Sequence, residues 1–137
     1  MAFKIRRVDY YYTMVDDHPG EAYQLLNRLA KLGVNLLAVN GVPVGAERTQ
    51  MTLFPENSNK LTDAAKNAGI LLDGPHRALL VQGDDEMGAL AAVHAKLYNA
   101  KVNVFASSCV TDGRGAYGYI LYVRPDEYER ASKALEV

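Results

Sequence analysis

The chain is poor in cysteine, in clustered charge of one sign and in long apolar runs, and each lack excludes something. Cys109 is the single cysteine among 137 residues, so no internal disulfide can brace the fold, and a reducing compartment suits it. The formal net charge is −1 with no basic run, which leaves no electrostatic footprint for nucleic acid. Basic residues occur among positions 1–7, but no apolar run follows them, and no stretch approaches the length of a membrane span. A soluble cytoplasmic protein without nucleic-acid or membrane partners is expected. Histidine is scarce too. His18, His76 and His94 do not stand at metal-ligand spacing from one another. His18 beside Asp16 and Asp17 would need further donors, so no metal and no cofactor are expected. Cys109 lies in an apolar segment with no base in evidence. A buried, inert thiol is expected there, and no catalytic residue can be named.

What the chain does have is apolar residues in quantity and a repeat. Hydrophobic residues make up 49% of it, enough to bury a core in one domain or two very small ones. "NRLAKLGVN" (residues 27–35) resembles "AKLYNAKVN" (residues 95–103), an offset of 68. The same offset pairs Asp17 with Asp85, Gly20 with Gly88, Leu29 with Leu97, Val34 with Val102 and Asn35 with Asn103. It also pairs Ala38 with Ala106, Val42 with Val110, Gly45 with Gly113 and Leu53 with Leu121. These nine identities exceed the roughly two or three that composition alone would give. The chain reads as two copies of one unit, at 8–74 and 76–137, joined near "DGPH".

Each copy shows the same order of patterns. Residues 8–15 are β-branched and aromatic and read as a strand. From Pro19 to Lys31 the apolar residues Ala22, Leu25, Leu26 and Leu29 recur at helical spacing, and Gly33 is a natural stop. "NLLAVNGVPV" and "ERTQMTLF" read as strands around a turn near Gly45. Leu61, Ala64, Ala65 and Ala68 mark a second helix closed by Gly69, and "ILL" (70–72) reads as a short last strand. In the second copy "ALLVQG" is a strand, and Met87, Leu90, Val93 and Leu97 give the helix. "VNVFASSCV" and "AYGYILYV" are strands joined by a "TDGRG" turn, and "PDEYERASKAL" is a helix opened by Pro125. The expected class is α+β: two ferredoxin-like βαββαβ repeats, antiparallel sheets with the helices on one face. In such strands Tyr10 and Tyr12 share a face, as do Tyr117 and Tyr119.

"DHPG" (17–20) sits where a strand gives way to a helix. Pro19 fits a first helical position. Gly20 leaves that turn bare to an approaching molecule, and a helix N-terminus suits a carboxylate. Asp16 or Asp17 offers a partner for an ammonium group, and Asn35 offers both a donor and acceptors. The same residues are also what any helix start uses, so capping alone explains them equally well.

"DHPG" after a strand, then a helix, then "GVNL" (33–36), all inside a duplicated βαββαβ pattern, resembles the ACT domain, a small regulatory module that binds amino acids in metabolic enzymes. The resemblance covers about residues 8–135. It implies a tandem, non-enzymatic regulator that binds an amino acid at a domain or subunit interface, with the strand-to-helix loop and the Asn after the first helix lining the site. On that basis Asp17, His18, Gly20 and Asn35 are the expected ligand-binding residues. Asp85, Gly88 and Asn103 are their counterparts in a second copy that departs from the pattern, with Met87 in place of Pro19, Lys101 in place of Gly33 and an extra Glu86. The expected partners are a small amino acid, a second copy of the chain in a homo-oligomer such as a dimer, and a metabolic enzyme or regulator. The alternative is a structural or protein-interaction module that has lost ligand binding; an enzyme on the same scaffold is a third reading.

Two further expectations concern strand edges. The apolar strand from 35 to 44, or its counterpart from 103 to 111, should lie at a sheet edge and pair edge to edge with the other copy in the chain or with another subunit. The second copy ends without a last strand, so the segment "AFKIRRV" (2–8) is expected to fill that place. The competing reading is one continuous strand from 3 to 15.

Overall fold

A computed structural model describes residues 3–137. In chain order it forms β1 (Phe3–Asp16), α1 (Glu21–Lys31), β2 (Leu36–Val44), β3 (Arg48–Pro55), α2 (Ser58–Ala68) and β4 (Asp73–Asp84). Then follow α3 (Ala89–Asn99), β5 (Val104–Thr111), β6 (Ala116–Val123), one 3-10 turn (Pro125–Glu127) and α4 (Tyr128–Ala134). The chain divides into two compact units. Asp9–His76 makes the first; Arg77–Val137 makes the second, together with residues 3–8. Each carries the antiparallel βαββαβ arrangement of an α+β, ferredoxin-like fold.

In the first unit β3 lies between β2 and the 9–16 part of β1, and β4 flanks β1 on its other side. Tyr11 faces Leu53 across the β1–β3 pair. Both enter a core with Met51, with Leu25 and Leu29 from α1 and with Leu61 and Ala64 from α2. Leu53 and Leu61 are 0% exposed, and burial of such a side chain is worth about 1.5–3 kcal/mol. Asn57 caps α2 by accepting from the Lys60 N–H at 3.1 Å. Tyr10 and Tyr12 share a face, as their spacing implies, with ring centroids 5.5 Å apart and edge-on. His76 packs against both, and Phe54 lies 5.2 Å from Tyr10.

In the second unit β6 lies between β4 and β5. Leu79 opposes Leu121 and Val81 opposes Tyr119. All four join Tyr117, Val93, Leu97 and Tyr128 in its core. Tyr128 donates its hydroxyl to the Ala78 carbonyl at 2.9 Å, and the Arg77 guanidinium stands 4.3 Å above its ring. Both readings of the N-terminal segment hold at once. β1 is a single strand of 14 residues, and its first residues serve the second unit, beside β4. Phe3 and Ile5 pack against that core. Arg6 donates to Gln82 Oε1 at 2.9 Å, and Arg7 to Glu129 Oε1 at 2.8 Å. Ala2, part of that expectation, lies outside the described residues.

Four local expectations give way. Neither Pro19 nor Met87 is helical, because α1 starts at Glu21 and α3 at Ala89. Pro19 instead occupies the second position of a type II turn. Gly20 takes φ 90° and ψ −12°, and the Glu21 N–H bonds the His18 carbonyl at 3.3 Å. Residues 70–72 are not a strand. The Ile70 N–H turns back onto the Ala65 carbonyl at 2.8 Å, which closes α2, and the Thr13 hydroxyl of β1 donates to the Leu71 carbonyl at 2.8 Å. Cys109 is exposed rather than buried, because among the described residues β5 pairs with β6 alone and its residues turn outward.

Candidate functional site

A cleft of about 570 Å³ opens in the first unit, within the size range of small-molecule sites. Four stretches line it: the end of β1 from Tyr12 to Asp16, one side of α1, the start of β3, and residues 69–73. Its polar lining carries both signs of charge. Arg28 and Arg48 are cationic; Asp16, Glu21 and Asp73 are anionic; Gln24 and Gln50 add amide groups. Leu25, Ile70, Leu71 and Leu72 supply apolar wall, and Leu71 is 89% exposed. Asp16 faces Arg48 directly across the β1–β3 pair. Even so, Asp16, Glu21, Gln24, Arg48 and Gln50 make no side-chain hydrogen bond or ion pair among the described residues. Arg28 is held, donating to the Ala68 carbonyl.

Of the residues expected from the sequence, Asp17, His18 and Gly20 lie in the loop that joins Asp16 to Glu21, two residues of the lining. The loop is fixed by its backbone. The Asp17 N–H bonds the Glu47 carbonyl at 2.8 Å and the His18 N–H bonds the Asp16 carbonyl at 2.9 Å. Gly20 answers to its turn: a Cβ there would meet nothing within 4 Å, but its φ is left-handed. Asn35 is not brought to this loop. It precedes Leu36, which pairs with Pro55, whereas Asp16 pairs with Arg48 at the other end of β3. Asn35 therefore lies at the opposite end of α1, about 16 Å of helix away. There its amide donates to Glu56 Oε2 at 2.8 Å.

The loop also gathers donors that sequence spacing did not show. One ligand atom each from Asp16, His18 and Glu21 lies within 4.8 Å of the others. An imidazole nitrogen with two carboxylate oxygens makes three of the donors a divalent ion uses, leaving positions open. All three side chains are exposed or half-exposed.

The second copy repeats the scaffold and drops the chemistry. Gly88 has φ 82° and ψ 3°, the Ala89 N–H bonds the Glu86 carbonyl at 3.1 Å, and the Asp85 N–H bonds the Gly115 carbonyl at 2.8 Å. Each matches the first copy at the offset of 68. Asn103 again begins the segment after the helix and is exposed. Yet Glu21, Gln24, Arg48 and Gln50 correspond to Ala89, Ala92, Ala116 and Gly118. A cleft of about 460 Å³ does open in the second unit, but its charged lining is Asp84 and Asp112 alone. Acidic surroundings reach further. Burial, and then Cys109, Glu86 and Asp84, push the Tyr117 phenol up from its ordinary value. Desolvation, then Asp85, pushes the Cys109 thiol up, away from the thiolate a nucleophile requires. His94 is half-buried, with Nε2 2.6 Å from the Tyr119 hydroxyl.

No family model matches the chain, and no curated protein matches it. Solved structures do. Protein BT0572 from Bacteroides thetaiotaomicron superposes with a TM-score of 0.78 at 16% identity, over 97% of this chain and 91% of that one. The regulatory subunit of aspartate kinase from Thermus thermophilus, in its ligand-free form, gives 0.63 at 16% identity, over 99% and 95%. The chain has the fold of the aspartate kinase regulatory subunits. The same fold recurs as part of a larger enzyme. E. coli aspartokinase III, in complex with lysine and aspartate, gives 0.50 at 14% identity, over 99% of this chain and 32% of that one. Across the described residues no helix is long and apolar enough to cross a membrane.

Proposed function

We propose that the chain is a non-enzymatic regulatory protein of tandem ACT type that binds a free amino acid. The observation that carries this reading is the first unit's cleft. Unpaired acidic, basic and amide side chains meet there, on a turn and helix start held rigid by backbone bonds. A zwitterion presents both charges such a lining answers. Asp17, His18 and Gly20 border this site through Asp16 and Glu21. Asn35 offers its amide on a separate surface of the unit; Asp85 and Gly88 border a degenerate counterpart in the second unit, with Asn103 at the other end of α3. The similar fold of E. coli aspartokinase III, crystallised with lysine and aspartate, supports the ligand class. Thermal unfolding with each free amino acid tests it: a binder raises the melting temperature with concentration. A folded sample that responds to none of them rules the reading out.

A second reading, an interaction module, draws on β5. That strand carries no charge and no proline, pairs only with β6 among the described residues, and exposes Phe105 and Val110. Such an edge invites another strand. A homo-oligomer through β5 or β2 is compatible with amino-acid binding, and light scattering with Ser108→Lys at the middle of β5 examines it.

A further inference from the structure

The two copies act as internal controls for each other. They share the type II turn, the bond from the loop to the facing hairpin, and a register irregularity at the start of the outer strand, between Leu36 and Ala38 and between Val104 and Ala106. The second unit folds with Ala89, Ala92, Ala116 and Gly118 where the first has Glu21, Gln24, Arg48 and Gln50. The fold therefore does not require those polar groups. Among the described residues they form no side-chain bonds, and all four line one cleft. Polar groups that the scaffold does not need, gathered round one cleft, are available to a molecule that enters it.

Charge geometry narrows what enters. Carboxylate oxygens of Asp16 and Glu21 lie within 4.8 Å of one another, and neither has a cationic partner among the described residues. Like charges that close repel, and an ammonium group set against both removes the repulsion. Arg48, opposite Asp16 on β3, presents a planar fork of donors suited to a carboxylate. Beyond these, Leu25, Ile70 and Leu72 line the cleft, and Ile70 and Leu72 pack against the unit's core. A ligand side chain placed there would bury apolar surface.

We propose that this cleft of the first unit is the effector site and that it takes an α-amino acid with an aliphatic or thioether side chain, its carboxylate on Arg48 and its ammonium on Asp16 and Glu21. This deepens, and rests on, the reading of the chain as an amino-acid binder. Calorimetry on the full chain uses L-leucine, L-methionine, L-lysine, L-aspartate, L-leucinamide and N-acetyl-L-leucine. Leucine or methionine binds. Leucinamide lacks the carboxylate and N-acetyl-leucine lacks the ammonium, so each binds at least about tenfold more weakly than leucine. Arg48→Ala and Glu21→Ala install what the second unit already carries, and each lowers leucine affinity about tenfold or more with the ligand-free melting temperature little changed. Preference for lysine or aspartate, or unaltered affinity in R48A, overturns the assignment and leaves the amino-acid reading standing. Binding by none of the four amino acids overturns the assignment, and a melting temperature that responds to no free amino acid overturns both. A melting shift from Zn²⁺ or Mn²⁺ alone, with none from any amino acid, overturns both and assigns Asp16, His18 and Glu21 to a metal.

Discussion

The two units solve one folding problem with different residues, and the differences separate what the backbone needs from what it tolerates. Both close their first helix alike. Gly33 donates to Ala30 and Val34 to Leu29 in one; Lys101 donates to Tyr98 and Val102 to Leu97 in the other, the double bond of a Schellman cap. The residue after the helix is left-handed in each, at φ 82° for Gly33 and φ 60° for Lys101. Glycine takes that conformation freely, whereas lysine pays a steric penalty of roughly 1–2 kcal/mol. The second unit tolerates the strained residue because the cap bonds and the Val102–Leu97 contact in its core fix the chain there. A side chain at that position is thus an expense the fold can bear, while the two bonds are not optional.

The largest expected effect tests whether the cores are equivalent. Leu53 and Leu121 correspond at the offset of 68, and each is 0% exposed. Alanine at either site should cost about 2–5 kcal/mol in urea unfolding. Losses differing by more than about 2 kcal/mol would break the equivalence of the units. Next come the caps. Lys101→Gly should stabilise by about 1 kcal/mol, and Gly33→Lys should cost a similar amount; changes of the same sign would contradict the account of both turns. Smaller still is Met87→Pro. Met87 is fully exposed at the position Pro19 holds in the first turn. Proline there should add about 0.4–1 kcal/mol by restricting the unfolded chain, and a destabilised variant would show that the turns differ.

A pH experiment sharpens a feature of the second unit. Glu129 is held below its usual carboxylate value of 4.5, first by its hydrogen bond from Arg7 and then by the charges of Arg7 and Arg77. A folded-state value below the unfolded one stabilises above the ordinary carboxylate range and is lost as pH falls through the lowered value. Urea midpoints from about pH 6 down to about pH 3 should fall less steeply in Glu129→Gln than in the parent. Parallel curves would remove this pair from the account of how residues 3–8 are held.

Asn35→Ala should have the least effect on binding. Its amide bonds Glu56 on the exposed surface at the far end of α1, and loss of such a pair is worth about 0–1 kcal/mol. A loss of 1–3 kcal/mol in amino-acid affinity, the size of a bond to a charged group, would instead place a ligand against it.

How much was legible from sequence can be judged residue by residue. Leu25 and Leu29, Leu53 and Leu121, and the tyrosine pairs declare their faces through spacing alone, because helix and strand periods are local properties. The glycines at 20 and 88 mark turns for the same reason. Pro19 misled, since proline suits a type II turn and a helix start equally well. Cys109 misled because apolar neighbours along a strand do not reveal whether that strand has a partner on both sides. Residues 70–72 have the composition of a strand, but a hydroxyl from Thr13, 58 positions away, holds the Leu71 carbonyl.

The candidate site was legible only in its loop. Asp17, His18 and Gly20 stand in one short motif; Arg48, Gln50 and the 69–73 wall come from segments that no local pattern joins to it. One signal for them was available in the repeat, at the four polar residues that become alanine or glycine in the second copy. By itself the sequence determined the duplication, the order of elements and the apolar faces, because each depends on periodicity along the chain. The tertiary structure alone decided that β1 serves both units and that opposite charges without protein partners among the described residues share one cleft. Those facts depend on which strand lies beside which, and strand pairing is set by the packing of distant segments.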